Sequence, residues 1–386
     1  MTVWDAIVGQ HAQVEPLRAA VAEADAMTHA WLITGPPGSG RSSAARAFAA
    51  ALLCASGGCG ECRECSTALG GTHADVAVVA TEKVTISIDE VRELVGLSQR
   101  APSGGRWRII IIEDADRMTE RTSNVLLKAI EEPPPRTAWV LCAPSAQDVA
   151  VTIRSRCRLV SLRVPPADVV ARLLVERDGI EEGLALEAAL AAQSHIGIAR
   201  RLARDPQARA RRDQVLALAT DVRGVGDAVL AAADLAAVAD DDAEAATTER
   251  DAAERAELLR TLGADDAGRL PPALRAQVRQ LEEDQRRRAT RAKRDVLDRA
   301  IIDLMSLYRD VAAIQVGAVQ LGEGAVGLIN VTHQGMVREL AGRMTLGETV
   351  ACVDALALAR ERLAANVQPV LALEALVLAL RPRPAA

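Results

Sequence analysis

Glycine, proline and serine residues near the start of the sequence form a segment that could bind phosphate. This segment comprises Gly35, Pro36, Pro37, Gly38, Ser39, Gly40, Arg41, Ser42 and Ser43. It follows a short apolar run and precedes a helix-forming run, and Gly35 and Gly40 have the G-x-x-x-x-G spacing of a phosphate-binding loop. Arg41 stands where that motif has lysine, a compact charge that a planar guanidinium does not reproduce. The sequence therefore predicts a nucleotide site whose key cation is altered.

Four of the seven cysteines lie close together, with spacings that are typical of metal ligands. They are Cys54, Cys59, Cys62 and Cys65. Thiolates at these spacings can converge on one tetrahedral ion. A redox pair or disulfides are the alternatives, although disulfides are rare in a reducing cytosol. We predict structural Zn2+, because four thiolates close the coordination shell and leave no position for a reacting water.

Two carboxylates, Glu113 and Asp114, follow the apolar run Ile109–Ile112. In phosphate-loop ATPases an acidic residue after a strand holds Mg2+ and a second acid polarises the attacking water. The usual order is Asp then Glu, and here the order is reversed, which changes the reach of both side chains. Solvated acids at a strand end are the alternative for this segment taken alone.

Short apolar segments alternate with helical patterns over residues 1–163. Besides the run before the loop, the strand candidates are Asp75–Ala80, Trp107–Ile112, Thr137–Cys142 and Arg158–Leu162. Continuous apolar runs are typical of strands that are buried on both faces. We therefore predict a doubly wound parallel α/β domain over residues 1–163, with the metal module at 54–65 and the loop at the carboxyl edge of the sheet.

Beyond Pro165 and Pro166 the strand signals stop and the pattern becomes helical. We predict a small three-helix domain over 164–212 and an all-α domain over 213–386. The acidic run Asp240–Glu244 is expected to be a solvated loop. The basic run Arg286–Arg294 is either a solvated helical face or a contact to acidic protein or DNA.

Composition narrows the class of protein further. The 386 residues are 49% hydrophobic and 25% charged, with a net charge of -6. That length suggests two or three domains. No run is long enough to span a membrane and no charged-then-apolar leader is present, so we expect a cytoplasmic protein without a membrane partner. The net acidity argues against indiscriminate nucleic-acid binding.

Further motifs resemble those of bacterial clamp-loader ATPases. The run Asn124–Pro134 reads N-x-L-L-K-x-x-E-E-P-P, and Ser155-Arg156-Cys157 follows it. The metal module after the loop helix, and Gly197–Arg200 as a second-sensor G-x-x-R, are similar to the same family. The resemblance is dense up to about residue 210, whereas the rest fits only by length and helical class. It implies an AAA+ domain with a zinc-binding insert, a helical lid and a collar through which subunits assemble.

Some subunits of this family hydrolyse ATP and others do not. Three departures from the family's ATPase motifs favour a subunit that does not hydrolyse ATP. They are Arg41, the Glu113-Asp114 order, and Ala143-Pro144 where a first-sensor threonine or asparagine would contact the γ-phosphate. We expect little or no hydrolysis and no independent catalysis, while ATP or ADP binding, with Arg200 as a further contact, stays open. The alternatives are an ATP-hydrolysing, gamma-like motor subunit and a stand-alone nucleic-acid-binding zinc protein.

The Ser155-Arg156-Cys157 motif is intact. The resemblance implies that Arg156 acts in trans, as an arginine finger on ATP held by a neighbouring gamma/tau subunit. A local salt bridge is the alternative for Arg156. The implied partners are gamma/tau and delta subunits, the sliding clamp and primer-template DNA, in a replication hetero-oligomer that loads the clamp. The Ala- and Arg-rich composition suggests a high-GC bacterium such as an actinobacterium.

Overall fold

The computed structural model describes residues 2–79, 85–104, 106–222, 224–261, 272–319, 327–365 and 367–381. The chain forms two compact units, Met1–Arg204 and Asp205–Ala386. Each unit has its own core, and each is considered by itself below. None of the described helices combines the length and the apolarity that crossing a membrane requires.

The first unit is built on one parallel sheet of five strands. The strands are β1 (Ala30–Thr34), β2 (Val76–Val79), β3 (Arg108–Ile112), β4 (Thr137–Ala143) and β5 (Arg158–Ser161). Their order is β2-β3-β4-β1-β5, and every pairing is parallel. This confirms the predicted parallel sheet and its strands; Ala80, the last residue of one predicted strand, lies outside the described residues.

Alternate residues of the strands point into two separate cores. Ile109 and Ile111 pack with α1 and α2 on one face, whereas Ile110 and Ile112 pack with α4 and α5 on the other. The helices of this unit are α1 (His11–Ala22), α2 (Arg41–Leu53), α3 (Arg63–Leu69), α4 (Ile88–Ser98), α5 (Glu120–Glu131), α6 (Val151–Arg154), α7 (Ala167–Asp178), α8 (Glu182–Ala191) and α9 (Ile196–Arg204). A strand covered on both faces must be apolar at every position, which explains the unbroken isoleucine run.

In the described part of the second unit, all the secondary-structure elements are helices. Its helices are α10 (Pro206–Asp221), α11 (Val225–Thr261), α12 (Pro272–Gln315), α13 (Gln334–Arg343), α14 (Leu346–Ala364) and α15 (Pro369–Leu380). The all-α class expected for this part of the chain is confirmed. Residue 212, where we expect the lid to end, falls inside α10.

The prediction that Asp240–Glu244 forms a loop is wrong, because this run lies in the middle of α11. Aspartate is a weak helix former, by at most about 0.7 kcal/mol per residue, and the surrounding contacts outweigh that preference. Ala243 is buried, Asp240 lies 2.5 Å from Lys293 Nζ, and Asp242 lies 3.3 Å from Arg211 Nε. The acidic run is therefore one side of a charge-paired helical hairpin.

The basic run Arg286–Arg294 supplies the other side of that hairpin. Arg288 lies 3.1 Å from Asp251 and 3.0 Å from Glu254 across the α11–α12 interface, with its side chain only 13% exposed. Arg287 forms a surface pair with Glu283 on its own helix. Part of the basic run thus contacts an acidic partner within the same chain.

Replacing Arg288 by alanine is expected to destabilise the second unit by about 3 kcal/mol, since it removes a largely buried cation that contacts two partly buried carboxylates. Arg287→Ala, which removes an exposed pair one position away, should change stability by less than about 1 kcal/mol. Urea denaturation followed by far-UV circular dichroism would measure both. Equal effects of the two substitutions would contradict the importance we give to the interhelical pair.

Candidate nucleotide and metal sites

The phosphate-loop segment joins the carboxyl end of β1 to the first turn of α2. Gly38 and Gly40 adopt φ angles of +83° and +91°, which side chains disfavour, and Gly40 caps α2. The Ser39 hydroxyl is buried and, among the described residues, has no hydrogen-bond partner. Buried hydroxyls usually have partners, so this polar atom beneath the loop fits a site that could receive a ligand oxygen.

The Arg41 guanidinium turns back onto the loop from which it emerges. Its Nη1 donates to the Gly35 carbonyl oxygen at 2.7 Å. The Gly35 N–H donates in turn to the carbonyl oxygen of Pro144, at 3.2 Å. Ala143 and Pro144 therefore contribute backbone to the loop, but no side-chain donor where a first sensor would stand.

The first acid after β3 is held by an arginine that the sequence interpretation missed. Arg46 on α2 donates from Nε and Nη2 to Glu113 Oε1, at 3.2 and 2.9 Å. Arg46 follows Ser42 by four residues and so shares its helical face, a spacing that could have revealed it. Asp114 lies 3.9 Å from Arg117. Glu113 is therefore already neutralised within the chain.

A second acidic position lies close to this pair. Burial raises the pKa of Asp116, and the neighbouring charge of Asp114 acts in the same direction. Both effects disfavour the charged form of the Asp116 carboxyl group. At this end of β3 the Arg46 guanidinium therefore pairs with Glu113, while burial disfavours the charged form of Asp116.

The segment between α8 and α9 lies directly against the loop. A Cβ added at Gly38 would lie 2.6 Å from His195 Cγ and 2.7 Å from His195 Cα. Two consecutive non-glycine residues, Gln193 and Ser194, adopt φ angles of +49° and +64° just before this contact. Such backbone persists only where the surroundings impose it. Because residue 38 has no Cβ, His195 can approach the loop closely. The same glycine also permits the left-handed turn.

Gly38→Ala should therefore cost more than Gly40→Ala. Both glycines need a left-handed φ, which costs an alanine about 1–2 kcal/mol, but a Cβ at Gly40 meets nothing within 4 Å. We expect Gly38→Ala to lose about 2 kcal/mol more, because His195 must move. Chemical denaturation gives the difference, and hydrogen exchange in α9 should report a loosened lid. Equal losses would show that the loop does not need the close approach of His195.

Arg200, the expected second sensor, is engaged within the lid. Its Nε and Nη2 donate to the two carboxylate oxygens of Asp178 at 2.7 and 2.6 Å, and Arg204 lies 3.1 Å from the same carboxylate. The hydrogen bond from Arg200 holds the pKa of Asp178 below its ordinary value. To act on a nucleotide, Arg200 would have to share or exchange this partner.

The four clustered cysteines converge as their spacing predicts. Their sulfur atoms all lie within 4.8 Å of one another, at the end of α2 and the start of α3. Burial opposes ionisation of Cys54, but the backbone N–H groups of Cys59, Gly58 and Ser56 outweigh it and lower the pKa to about 6. Burial and the neighbouring thiols raise the pKa of Cys65 to about 12.

This donor set fits a tetrahedral, thiophilic cation. Four sulfurs this close cannot all carry charge unless a cation offsets their repulsion, and N–H···S bonds orient them as in structural metal modules. His73 lies beside the module but is used elsewhere. Its Nε2 contacts Glu64 at 2.8 Å, and its Nδ1 accepts the N–H of Asp75 at 3.0 Å.

Arg156 lies at the surface between α6 and β5. Its Nε and Nη2 contact Glu131 Oε1 at 2.6 and 2.5 Å, and its Nη1 donates to the Thr152 carbonyl oxygen at 2.8 Å. The Arg156 and Glu131 side chains are 38% and 41% exposed. Within one chain the local salt bridge is therefore formed, but an exposed pair is worth only about 0–1 kcal/mol and can be exchanged.

Comparison with known proteins places the match mainly in the first unit. Residues 9–166 match the family model described as DNA polymerase III, delta subunit. The DNA polymerase III subunit delta' of Pseudomonas aeruginosa is 38% identical over 171 residues, which are 41% of this chain and 52% of the relative. The DNA polymerase III subunit delta' of Escherichia coli is 38% identical over 145 residues, and the alignment covers 36% of this chain and 43% of the relative. The gamma/tau subunit of Mycobacterium tuberculosis is 32% identical over 182 residues, and the alignment covers 45% of this chain and 31% of the relative.

The chain thus spans about half or less of the length of these relatives. Among solved structures, a DNA polymerase III gamma subunit-related protein of Thermotoga maritima aligns over 96% of this chain and 98% of its own, with a TM-score of 0.42 and 17% identity. A RuvB variant from Thermotoga maritima covers 55% of this chain and 64% of its own, with a TM-score of 0.39 and 18% identity.

Proposed function

We propose that this chain, a member of the clamp-loader family with a delta-prime-like first domain, is a non-hydrolysing subunit of a DNA polymerase III clamp loader. The observation that carries the proposal is that both chemical groups of its nucleotide site are already engaged within the chain. Arg41 binds the Gly35 carbonyl, and Glu113 is paired with Arg46. In this arrangement Arg41 does not extend toward phosphates as a lysine would, and the carboxylate that directly follows β3 is paired with Arg46.

Nucleotide binding without turnover remains compatible with this site. The segment Gly35–Ser43 keeps its left-handed glycines and its helix N-terminus, and the unpartnered Ser39 hydroxyl lies beneath it. These features support binding of ATP or ADP through backbone N–H groups. Arg200 would join the phosphates only by exchanging its partner Asp178.

Arg156 is the residue through which this subunit would affect catalysis. Its guanidinium is partly exposed, and its carboxylate partner is weakly held. A phosphate group carries more charge than Glu131 and accepts the same fork of donors, so it would compete well for Arg156. We infer that Arg156 reaches the γ-phosphate of ATP in a neighbouring gamma/tau subunit.

The cysteine module is proposed to hold one structural Zn2+. Cys54, Cys59, Cys62 and Cys65 would supply all four ligands, and the ion would cross-link the end of α2 to α3. With its shell closed, such an ion stabilises the fold and takes no part in chemistry.

The proposed partners follow from the relatives rather than from a bound molecule. They are gamma/tau and delta subunits, the sliding clamp and primer-template DNA, in a cytoplasmic replication complex. The second unit would serve as the assembly collar.

The decisive experiment measures ATP hydrolysis by a gamma/tau and delta mixture with and without this chain, in the presence of clamp and primed DNA. We expect the chain alone to be inert and to stimulate both hydrolysis and clamp loading by the mixture. If the isolated chain hydrolyses ATP and Arg41→Ala abolishes that activity, the gamma-like motor is the correct function. If the chain changes nothing in the mixture, the clamp-loader proposal fails.

A further inference from the structure

Large apolar side chains are exposed at the start of α11, in the second unit. Val225, Val229 and Leu230 are 55%, 41% and 67% exposed, and Val225 and Val229 lie one helical turn apart. Leu230 lines a groove of about 550 Å3 between α10 and α11, with Leu218 and Val238 among its walls. Single exposed apolar residues are ordinary, but a cluster beside an apolar groove marks a contact surface.

The charge around this groove is negative. Its lining includes three carboxylates, Asp221, Asp227 and Asp234, and a single cation, Arg211. Arg211 does not neutralise them, because it is paired with Asp205 and Asp242 at 3.3 Å each.

Not all of this charge needs an external partner. Asp227 accepts the N–H of Gly224 at 2.9 Å and so stabilises the first turn of α11. Asp221 accepts a hydrogen bond from the Thr220 hydroxyl at 3.1 Å, and it is the last residue of α10, a helix whose last turn contains no basic residue. A carboxylate is unfavourable at a helix C-terminus, where the backbone dipole is already negative. A cation brought to this end of the groove would be favourable.

We propose that this groove binds an amphipathic helix of a partner subunit, with an apolar stripe that covers Leu230 and with lysine or arginine beside Asp221 and Asp234. Helices bind grooves of this kind through apolar anchors one turn apart. The choice of a gamma/tau-type subunit as the source of the helix rests on the proposed function. The recognition chemistry rests on the groove alone.

Two probes separate these two claims. The first is a purified gamma/tau-type protein from the same organism, and the second is a synthetic helical peptide with a leucine stripe flanked by lysines. A peptide with glutamates in place of the lysines serves as the control. Binding to the full-length chain would be measured by calorimetry at 50 and 300 mM salt.

We expect the wild-type chain to bind both gamma/tau and the basic peptide. Binding of the peptide should be at least tenfold weaker at the higher salt concentration. Leu230→Glu should weaken both interactions at least 30-fold, and Asp234→Lys should weaken the peptide's binding and remove much of its salt dependence. Leu186→Glu, at a leucine that is 42% exposed in the first unit, should bind like the wild type. Melting curves would verify that each variant folds.

The outcomes test the groove as a binding site separately from the choice of gamma/tau as its partner. Peptide binding without gamma/tau binding supports the groove and overturns the proposed function. Gamma/tau binding that Leu230→Glu leaves unchanged overturns the groove as the docking site. Equal binding of the acidic and basic peptides, or self-association of the chain that Leu230→Glu abolishes, would also overturn the proposal, the latter in favour of a second copy as the occupant.

Discussion

Arg156→Ala is expected to abolish the stimulation that we propose this chain gives to ATP hydrolysis by gamma/tau. An arginine finger contributes on the order of 10³–10⁵ to the rate of phosphoryl transfer, because it offsets charge that develops in the transition state. At the interface that this chain completes, turnover should therefore fall by roughly 10³ or more. Steady-state hydrolysis of the full assembly, with and without each variant, would measure the loss.

The controls for this prediction separate charge from geometry. Arg156→Lys keeps the charge but not the planar fork, and should recover only a small part of the activity. Arg154→Ala removes a nearby arginine whose Nη1 binds the Ala146 carbonyl at 3.2 Å, and should leave hydrolysis near wild type. If Arg156→Ala stimulates as well as the wild type while still assembling, Arg156 is only a surface salt bridge to Glu131.

Loss of the proposed metal is expected to have the largest effect on stability. Structural zinc in small modules is bound with roughly 10–16 kcal/mol of apparent free energy, and part of that energy stabilises the fold around it. If Cys62→Ser removes 4 kcal/mol from the first unit, its melting temperature should fall by roughly 8–16 °C. Calorimetry with elemental analysis would compare the variant with the wild type.

The matched control is Cys352→Ala, which removes a buried thiol from the second unit. It should leave one zinc per chain, whereas Cys62→Ser should leave less than one. A wild-type chain that carries no metal, and whose melting is indifferent to a chelator, would contradict the structural zinc.

The sequence predicted best those features that depend on local pattern. Buried parallel strands require apolar residues at every position, so the run Ile109–Ile112 identified β3 directly. Cysteine spacing constrains thiol geometry strongly, so the convergence of the Cys54–Cys65 cluster was also predictable. In both cases a few neighbouring residues determine the structure.

The features that the sequence analysis missed depend on residues far apart in the chain. The spacing from Ser42 could have placed Arg46 on the face of α2 that carries the loop, but it does not indicate that its partner is Glu113, and nothing near Gly38 indicates that His195 packs on it. The Asp240–Glu244 run resembled a loop, because its helical state depends on Lys293 and Arg211. Tertiary contacts overruled local preference at each of these places.

The ion pairs between α11 and α12 also determine how the two helices align lengthwise. Ala239 is buried in the same core as Leu297 and Ile301 of α12, and a side chain as small as alanine would let one helix slide along the other. The pairs Asp240–Lys293, Glu254–Arg288 and Arg255–Glu282 occur in opposite order on the two helices, as an antiparallel hairpin requires. A shift of one turn, about 5.4 Å, would separate all three at once. The charges therefore fix the register of the hairpin, in addition to the stability that each pair contributes.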